Sequence, residues 1–185
     1  MISLRPEEEK DKEKVLQIIE EAFRNVENSD HQEHVLVENL RKSQDFIPEL
    51  SIVADFVNDD TGEEELVGHI LFTKVTIENG SASFESLALA PVSVKPEYQN
   101  QGIGGHLIAF GHVIAQELGF KSVVLVGHEK YYPKFEYRKA TDFGITFPFD
   151  VPEENGMAVE LIEDGLKGVN GMVKYPKEFG IEYKN

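Results

Sequence analysis

A glycine-containing turn, Gln99–Gly104, has the residue types and spacing to bind a phosphate group. It follows a long apolar run that ends at Val94 and precedes an amphipathic stretch that begins at Gly105, so it lies between a predicted strand and a predicted helix. Gly102 and Gly104 allow the backbone to adopt a positive φ or to approach a ligand closely. Because the first N–H groups of a helix have no partner within it, the turn favours a ligand that carries a pyrophosphate.

Two common phosphate-binding motifs do not fit this turn. A dinucleotide fingerprint needs a third glycine three residues after Gly104, where this chain has Leu107, and no acidic residue follows at the expected distance. A nucleoside-triphosphate loop needs Gly-Lys-Ser/Thr, and the turn has neither the lysine nor the hydroxyl. We therefore do not expect NAD, a flavin, ATP or GTP.

The residues around the turn resemble a known family. Leu89–Gly104 is similar to the acetyl-CoA motif of the GNAT N-acetyltransferase superfamily, Gln/Arg-x-x-Gly-x-Gly/Ala. Gly127–Tyr137 resembles a second landmark of that family, a short tyrosine-bearing helix that ends in Phe-Gly-Phe. Three further stretches resemble a bacterial branch of predicted acetyltransferases: Met157–Leu161, Gly165–Gly171 and Tyr175-Pro176. The resemblance covers most of the chain.

The resemblance implies a fold, a cofactor and a reaction. The fold is the α/β GNAT fold: a mixed, mostly antiparallel sheet with a splayed parallel pair that holds acetyl-CoA, flanked by helices, in one domain over residues 1–185. The reaction is acetyl-CoA-dependent N-acetyl transfer directly to an amine, with CoA as product. The acceptor stays open between a small amine, an aminoglycoside-like compound and a peptide amine. A non-catalytic acyl-CoA-binding sensor or regulatory module is the alternative function.

The resemblance also assigns the residues that bind the cofactor. Backbone groups of the strand before the turn are expected to bind the pantetheine arm, and N–H groups of the turn the pyrophosphate. Pro91 removes a hydrogen-bond donor from that strand, which indicates a bulge or an unpaired edge. The predicted cofactor-binding residues are Val92, Ser93, Val94, Gln99, Asn100, Gln101, Gly102, Ile103, Gly104 and Gly105.

The proton-transfer groups are assigned less completely. Tyr132 stands where the family usually has its general acid, and a phenol with a pKa of about 10 can donate to a departing thiolate; Tyr131 is its rival. Glu85 and His128 are both candidates for the general base, acting directly or through water. Glu136 replaces the glycine of the second landmark. If that position keeps a positive φ, the glutamate destabilises the turn by ~1 kcal/mol or more. Otherwise the turn is rearranged and Tyr132 is displaced.

Composition limits the partners. The net charge of −16 argues against nonspecific binding to nucleic acid or to an anionic membrane, and weakly favours a cationic acceptor. Because the chain has no cysteine, disulfides, thiolate metal sites and a cysteine acyl-intermediate are excluded. His31 and His34 share a predicted helix face, but their spacing is wrong for a metal motif and no third ligand is apparent.

The cellular location is predicted from the length of the apolar runs and from the residues Met1–Pro6. No apolar run approaches the ~20 residues of a membrane span, and Met1–Pro6 does not resemble a signal peptide. We therefore expect a cytoplasmic protein; whether it forms a homodimer stays open.

Hydrophobic spacing predicts the elements that position these residues. Strands are expected at 2–5, 50–56, 66–77 and 82–94, with Asn79-Gly80 as a hairpin turn. A helix begins at Pro6 with Glu7–Glu13 as its solvated first turns, and a second helix covers 30–42. The inward residues of these two helices are Val15, Ile18, Ile19, Ala22 and Phe23, then Val35, Leu36 and Leu40.

The helix after the turn leads to a buried strand, Ser122–Val126, which should lie parallel to the strand before the turn. Gly119 is positioned to cap that helix. Its predicted inward residues are Leu107, Ile108, Phe110, Gly111, Val113, Ile114 and Leu118. Residues 140–185 are expected to complete the same sheet or to cover its edge.

Overall fold

The computed structural model describes residues 1–183, which form two compact units. The first unit contains Met1–Phe72 and Ala90–Ile114, and the second contains Thr73–Leu89 and the chain from Ala115 onward. The single domain over 1–185 stays a prediction, and its last two residues lie outside the described part. In the described part of the chain, no helix is both long enough and apolar enough to cross a membrane.

Nine strands and three α-helices, together with short single-turn helices, make up the described chain. The strands are β1 Ile2–Pro6, β2 Ser51–Val57, β3 Glu64–Asn79, β4 Ala82–Val94, β5 Ser122–Val126, β6 Arg138–Lys139, β7 Ile145–Thr146, β8 Gly156–Glu160 and β9 Gly171–Lys174. The helices are α1 Lys12–Phe23, α2 Glu33–Leu40 and α3 Ile103–Glu117. The predicted strands of the first half and Ser122–Val126 are confirmed.

In the first unit, β1, β2 and the beginning of β3 form an antiparallel ladder. Leu4 pairs with Ala54 and Val53 pairs with His69, with a bulge where Ala54 meets Asp55. The two N-terminal helices bury apolar side chains in this unit: Val15, Ile18 and Ile19 from α1, and Val37 and Leu40 from α2. Removing such side chains from water is the main stabilising contribution to the unit.

In the second unit, β4 and β5 are parallel, with Leu87 opposite Val123 and Ala88 opposite Val124. This parallel pair confirms the predicted crossover through α3. β8 pairs antiparallel with β5, and β6 pairs with β8, while β9 joins β3 to β7. Residues after 140 therefore complete the sheet, as predicted. The buried core of the unit includes Val75, Ile77, Ala88, Val124, Ala140, Ile145, Ala158, Leu166 and Val173.

The predicted start of α1 is wrong. Pro6 ends β1, where it pairs with Ile52, and the N–H of Glu7 donates to the Ser51 carbonyl over 2.7 Å. A single turn of 3₁₀-helix follows, and α1 begins only at Lys12. Glu7 is not a solvated residue either: its side chain is 3% exposed and pairs with Arg41. Asp11 is buried as well and pairs with Arg5, so the run of charged residues at this end of the helix contains two buried carboxylates.

Several inward positions also differ from the prediction. Val35 is exposed and Val37 is buried instead, because Val37 lies three residues before the buried Leu40 on the same face of α2, whereas Val35 lies about 200° around the helix from Val37. On α3, Val113 is exposed because it lies about 240° around the helix from the buried Leu107. Leu118 is exposed too and lies just beyond the end of α3.

His31 and His34 do not share a helix face. His31 precedes α2 and has a φ of 58°, whereas His34 lies in the first turn of α2. In the described residues, no group of three or more His, Cys, Asp or Glu side chains is placed to hold a metal ion. His34 instead contacts Glu20 on α1, with 3.1 Å between Nε2 and Oε1.

Candidate functional site

The predicted phosphate-binding turn has a left-handed backbone in the structure. Asn100 has a φ of 61° and Gly102 a φ of 86°. No atom lies within 4 Å of the position that a Cβ would occupy on Gly102, so this side of the turn is open. α3 begins directly afterwards, at Ile103. Two left-handed positions, separated by Gln101, therefore lie immediately before a fifteen-residue helix.

The beginning of α3 supplies hydrogen-bond donors. The N–H of His106 donates to the Gly102 carbonyl over 3.0 Å, which is the first i to i−4 bond of the helix. The N–H groups of Ile103, Gly104 and Gly105 precede that bond, so the helix offers them no acceptor. Together with the positive end of the helix dipole, these donors form an arrangement that binds phosphate.

Two glutamine side chains hold the turn to the segment before it. Gln99 donates from Nε2 to the Val94 carbonyl over 3.0 Å, and Gln101 donates to the Glu97 carbonyl over 3.2 Å. The side-chain amides of these predicted cofactor residues are thus engaged with the protein backbone. Their role in the turn is to fix its shape, while the backbone N–H groups face outward from the helix end.

The end of β4 carries an unpaired polar group. The Ser93 side chain is 1% exposed, and its hydroxyl has no hydrogen-bond partner in the described residues. A buried hydroxyl without a partner costs free energy unless a ligand or water satisfies it. With Val92 and Val94, Ser93 belongs to the stretch that the resemblance assigns to the pantetheine arm.

In the second unit, Tyr132 begins a short helical turn that ends at Phe135. Its ring lies edge-on to Tyr131, with 5.0 Å between ring centroids, and to Tyr137 at 5.8 Å. Gly127, which follows β5, makes room for it: a Cβ on Gly127 would lie only 2.3 Å from Cε2 of Tyr132. The predicted tyrosine-bearing turn is therefore present, and its tyrosine is closely packed.

The environment of Tyr132 keeps its phenol neutral. Burial, together with the neighbouring Tyr131, raises the pKa of Tyr132 to about 12. Burial also raises the pKa of Tyr131. A phenol with a raised pKa carries its proton throughout the physiological range, which suits a proton donor but not a base.

Glu136 retains the conformation expected of the glycine it replaces. Its φ of 71° and ψ of 9° are left-handed, and its N–H donates to the Pro133 carbonyl over 3.0 Å. The turn is therefore strained by the glutamate rather than rearranged around it. A non-glycine residue in this region costs ~1–2 kcal/mol.

The two candidate bases are both exposed. Glu85 lies on β4 and pairs with Lys74, with 2.8 Å between Nζ and Oε2. His128 follows β5, and its Nδ1 accepts the N–H of Lys130 over 3.2 Å. His128 also belongs to the backbone of the tyrosine turn, since its carbonyl accepts the Tyr131 N–H over 3.1 Å.

Two residues near these elements were not predicted to matter. Gly127 is a glycine placed directly after a buried strand, a pattern that indicates close approach of another group. Glu65, at the start of β3, contacts both Lys95 and Tyr98 just before the turn. Nothing local in the sequence points to Glu65, because its partners are thirty or more residues away.

The chain belongs to the GNAT acetyltransferase family, since the family model described as an acetyltransferase (GNAT) domain matches residues 3–140. It is similar to the uncharacterized N-acetyltransferase YjhQ of Escherichia coli, with 37% identity over 121 residues, which are 65% of this chain and 64% of YjhQ. The match thus spans less than two thirds of that relative. It is also 28% identical to the uncharacterized N-acetyltransferase YhbS of Escherichia coli over 144 residues, covering 78% of this chain and 81% of YhbS.

Solved structures support the same fold. A crystal structure of Escherichia coli YhbS in complex with CoA superposes with a TM-score of 0.81 at 24% identity, over 97% of this chain and 92% of that one. A GNAT acetyltransferase from Brucella melitensis in complex with acetyl-CoA gives a TM-score of 0.75 at 30% identity, over 97% and 98% of the two chains. The predicted α/β GNAT fold, with its parallel pair β4 and β5, is confirmed.

Proposed function

We propose that this protein is an acetyl-CoA-dependent N-acetyltransferase that transfers the acetyl group directly to an amine. The observation that carries the proposal is the left-handed turn at Gly102 followed at once by the free N–H groups of α3. Family membership and a relative's structure with acetyl-CoA support the choice of cofactor. The acetyl thioester of that cofactor supplies the activated acyl group.

In this proposal the residues of the first unit bind and orient the cofactor. The N–H groups of Ile103, Gly104 and Gly105 bind the pyrophosphate, with Asn100, Gln101 and Gly102 completing the turn. Backbone groups of Val92, Ser93 and Val94 bind the pantetheine arm. Since the Val94 carbonyl already accepts from Gln99, the group that Val94 offers the cofactor is its N–H.

Tyr132 and one of the two candidate bases are the proton-transfer groups of the proposal. Tyr132 donates its phenolic proton to the departing thiolate, and its raised pKa means that the phenol carries this proton at neutral pH. His128 or Glu85 takes the amine proton, directly or through water. Both stay candidates, because the Glu85 carboxylate pairs with Lys74 and the Nδ1 of His128 accepts the N–H of Lys130. No enzyme nucleophile is needed, because the amine itself attacks.

The acyl-CoA sensor remains the alternative function. Glu136 and the absence of a clear base are the two observations that favour it. Glu136 keeps the left-handed backbone of a glycine, which removes the argument that Tyr132 is displaced, whereas both candidate bases are exposed. Release of free thiol from acetyl-CoA across a panel of amines separates the two functions, because a sensor binds the cofactor without turnover. A cytoplasmic location and an amine acceptor of the classes named above are part of the proposal, and the oligomeric state stays open.

The test replaces Gly104 in the first turn of α3. Gly104→Glu places a carboxylate where the pyrophosphate would bind, while Gly104→Gln adds the same bulk without charge. An acidic residue near a helix N-terminus is favourable in itself, so the charged variant is expected to fold. We expect Gly104→Glu to bind CoA at least ~10-fold more weakly than Gly104→Gln in calorimetric titrations, because charge-assisted phosphate binding is replaced by repulsion. Equal affinities would reject the phosphate assignment.

A further inference from the structure

The segment that enters the phosphate-binding turn is attached to β3 through one carboxylate. Lys95, the first residue after β4, donates from its ammonium to Oε1 of Glu65. Three residues later, the hydroxyl of Tyr98 donates to Oε2 of the same carboxylate over 2.7 Å. Glu65 therefore uses one oxygen for each end of the short segment Lys95–Tyr98.

Backbone and ring contacts complete this attachment. The N–H of Lys95 donates to the Val67 carbonyl on β3 over 2.8 Å. The ring of Tyr98 packs against Phe56 on β2, with 5.4 Å between ring centroids. The N–H of Tyr98 bonds back to the Lys95 carbonyl over 2.9 Å, so the segment is a closed turn. Its position relative to the sheet is set by these contacts and by Glu65.

The segment in turn holds the phosphate-binding turn. Gln99 follows Tyr98 directly, and its side chain returns to the Val94 carbonyl. Gln101 returns to the carbonyl of Glu97, inside the segment. A shift of the segment is therefore passed on to the backbone that precedes the N–H groups of α3.

Charge makes the carboxylate important. The Lys95 side chain is 9% exposed, and an ammonium removed from water is costly unless it is paired. The hydrogen bonds from Lys95 and Tyr98 lower the pKa of Glu65, and the bond to Glu65 raises the pKa of Lys95, so both are ionised at neutral pH. If the Glu65 carboxylate is neutralised, the Lys95 ammonium loses its counter-charge. Hydration of the ammonium then favours a shift of the segment Lys95–Tyr98 toward solvent.

We propose that Glu65 is a positioning residue for cofactor binding: its carboxylate holds Lys95 and Tyr98, and through them the turn that binds the pyrophosphate. The inference rests on the proposed function, since it takes the turn to be the pyrophosphate site. Glu65 itself does not contact the cofactor in this scheme. Its removal acts on cofactor affinity through the shape of the turn.

The experiment compares CoA binding by calorimetric titration in the wild type, Glu65→Gln and Glu64→Gln. Glu64 precedes Glu65 on β3 and is exposed, so the control makes the same change of charge without breaking the attachment. We expect the Kd of Glu65→Gln to rise on the order of 10-fold, the usual effect of losing hydrogen bonds to a charged group. Glu64→Gln should stay within about twofold of the wild type, because exposed charges away from a site contribute little.

A double variant shows whether Glu65 acts through the turn. In the Gly104→Glu background, where the turn no longer binds phosphate, Glu65→Gln should weaken CoA binding by less than about twofold, because coupled residues are not additive. A general loss of structure would weaken binding equally in both backgrounds. Tyr98→Phe keeps the ring against Phe56 and removes one hydrogen bond, and it should give an intermediate loss that tests the proposal if Glu65→Gln folds poorly.

The outcomes distinguish the two proposals. If the wild type does not bind CoA, or if Gly104→Glu and Gly104→Gln bind it equally, the proposed site fails. If both tests of the site succeed but Glu65→Gln and Tyr98→Phe bind CoA as tightly as Glu64→Gln, only the role of Glu65 is overturned. The role of Glu65 is also overturned if Glu65→Gln weakens CoA binding by the same factor in the wild-type and Gly104→Glu backgrounds.

Discussion

The fit between Gly127 and Tyr132 makes a quantitative prediction. A Cβ on Gly127 would lie 2.3 Å from Cε2 and 2.9 Å from Cδ2 of Tyr132, whereas carbon atoms in contact are normally ~3.5–4.0 Å apart. Gly127→Ala therefore forces the ring or the backbone to move by about 1 Å. Overpacking of this kind costs ~1–3 kcal/mol of unfolding free energy.

Removing the ring should reverse the sign of the effect. In a Tyr132→Ala background the new methyl group has room, and Gly127 does not have a positive φ, so alanine is conformationally allowed. Replacing glycine by alanine at such a position stabilises by ~0.4–1 kcal/mol. The coupling between the two substitutions should then be roughly 1.5–4 kcal/mol, the sum of the avoided cost and the gain.

Urea unfolding of the wild type, both single variants and the double variant measures this coupling. Tyr131→Ala is the matched control, because the Tyr131 ring contacts Tyr132 but is not among the atoms nearest to Gly127. In that background the cost of Gly127→Ala should persist. If Gly127→Ala costs the same with and without the Tyr132 ring, the packing that we assign to the proposed acid is wrong.

Three further predictions concern the same elements. Glu136→Gly should stabilise the protein by roughly 0.5–1 kcal/mol in urea unfolding, because relief of left-handed strain exceeds the entropy cost of glycine; a loss of stability would contradict the assigned strain. Burial and Arg41 lower the pKa of His69 to about 3, below the usual value of ~6.5, so stability is lost as pH falls from ~6.5 toward that value. The wild type should lose roughly 2–3 kcal/mol more than the non-titrating His69→Gln between about pH 6.5 and 4.5, and equal losses would show that His69 is protonated in the folded state. Tyr132→Phe should slow thiol release with an active amine by ~10²-fold or more while leaving the Kd of CoA unchanged, and an unchanged rate would exclude Tyr132 as the acid.

Local patterns predicted the elements that position the site. The strand before the turn, the glycines and the apolar face of α3 are contiguous in sequence, so hydrophobic spacing and glycine placement suffice to indicate them. Gly102 is the clearest example, because the sequence predicts a residue that can adopt a positive φ and the structure gives it a φ of 86°. The position of the turn between β4 and α3 was predicted for the same reason.

Interactions between distant residues could not be predicted in this way. Glu7 belongs to a run of charged residues and was interpreted as solvated, yet its carboxylate is buried with Arg41 and accepts the hydroxyl of Ser51. That same hydroxyl contacts the buried ring of His69, with 2.9 Å to Nε2. The pairing of Glu65 with Lys95 is similar. Such partners are brought together by sheet register and by the packing of helices on the sheet, which local sequence patterns do not specify.

Calorimetric titration of the wild-type protein with acetyl-CoA and CoA, and separately with NADH, tests the central claim most directly. Our account predicts that acetyl-CoA and CoA bind and that NADH does not, because the turn holds a pyrophosphate but lacks the residues of a dinucleotide fingerprint. Binding of NADH alone, or the absence of binding by all three, would contradict the assignment of the turn at Gly102 to the cofactor.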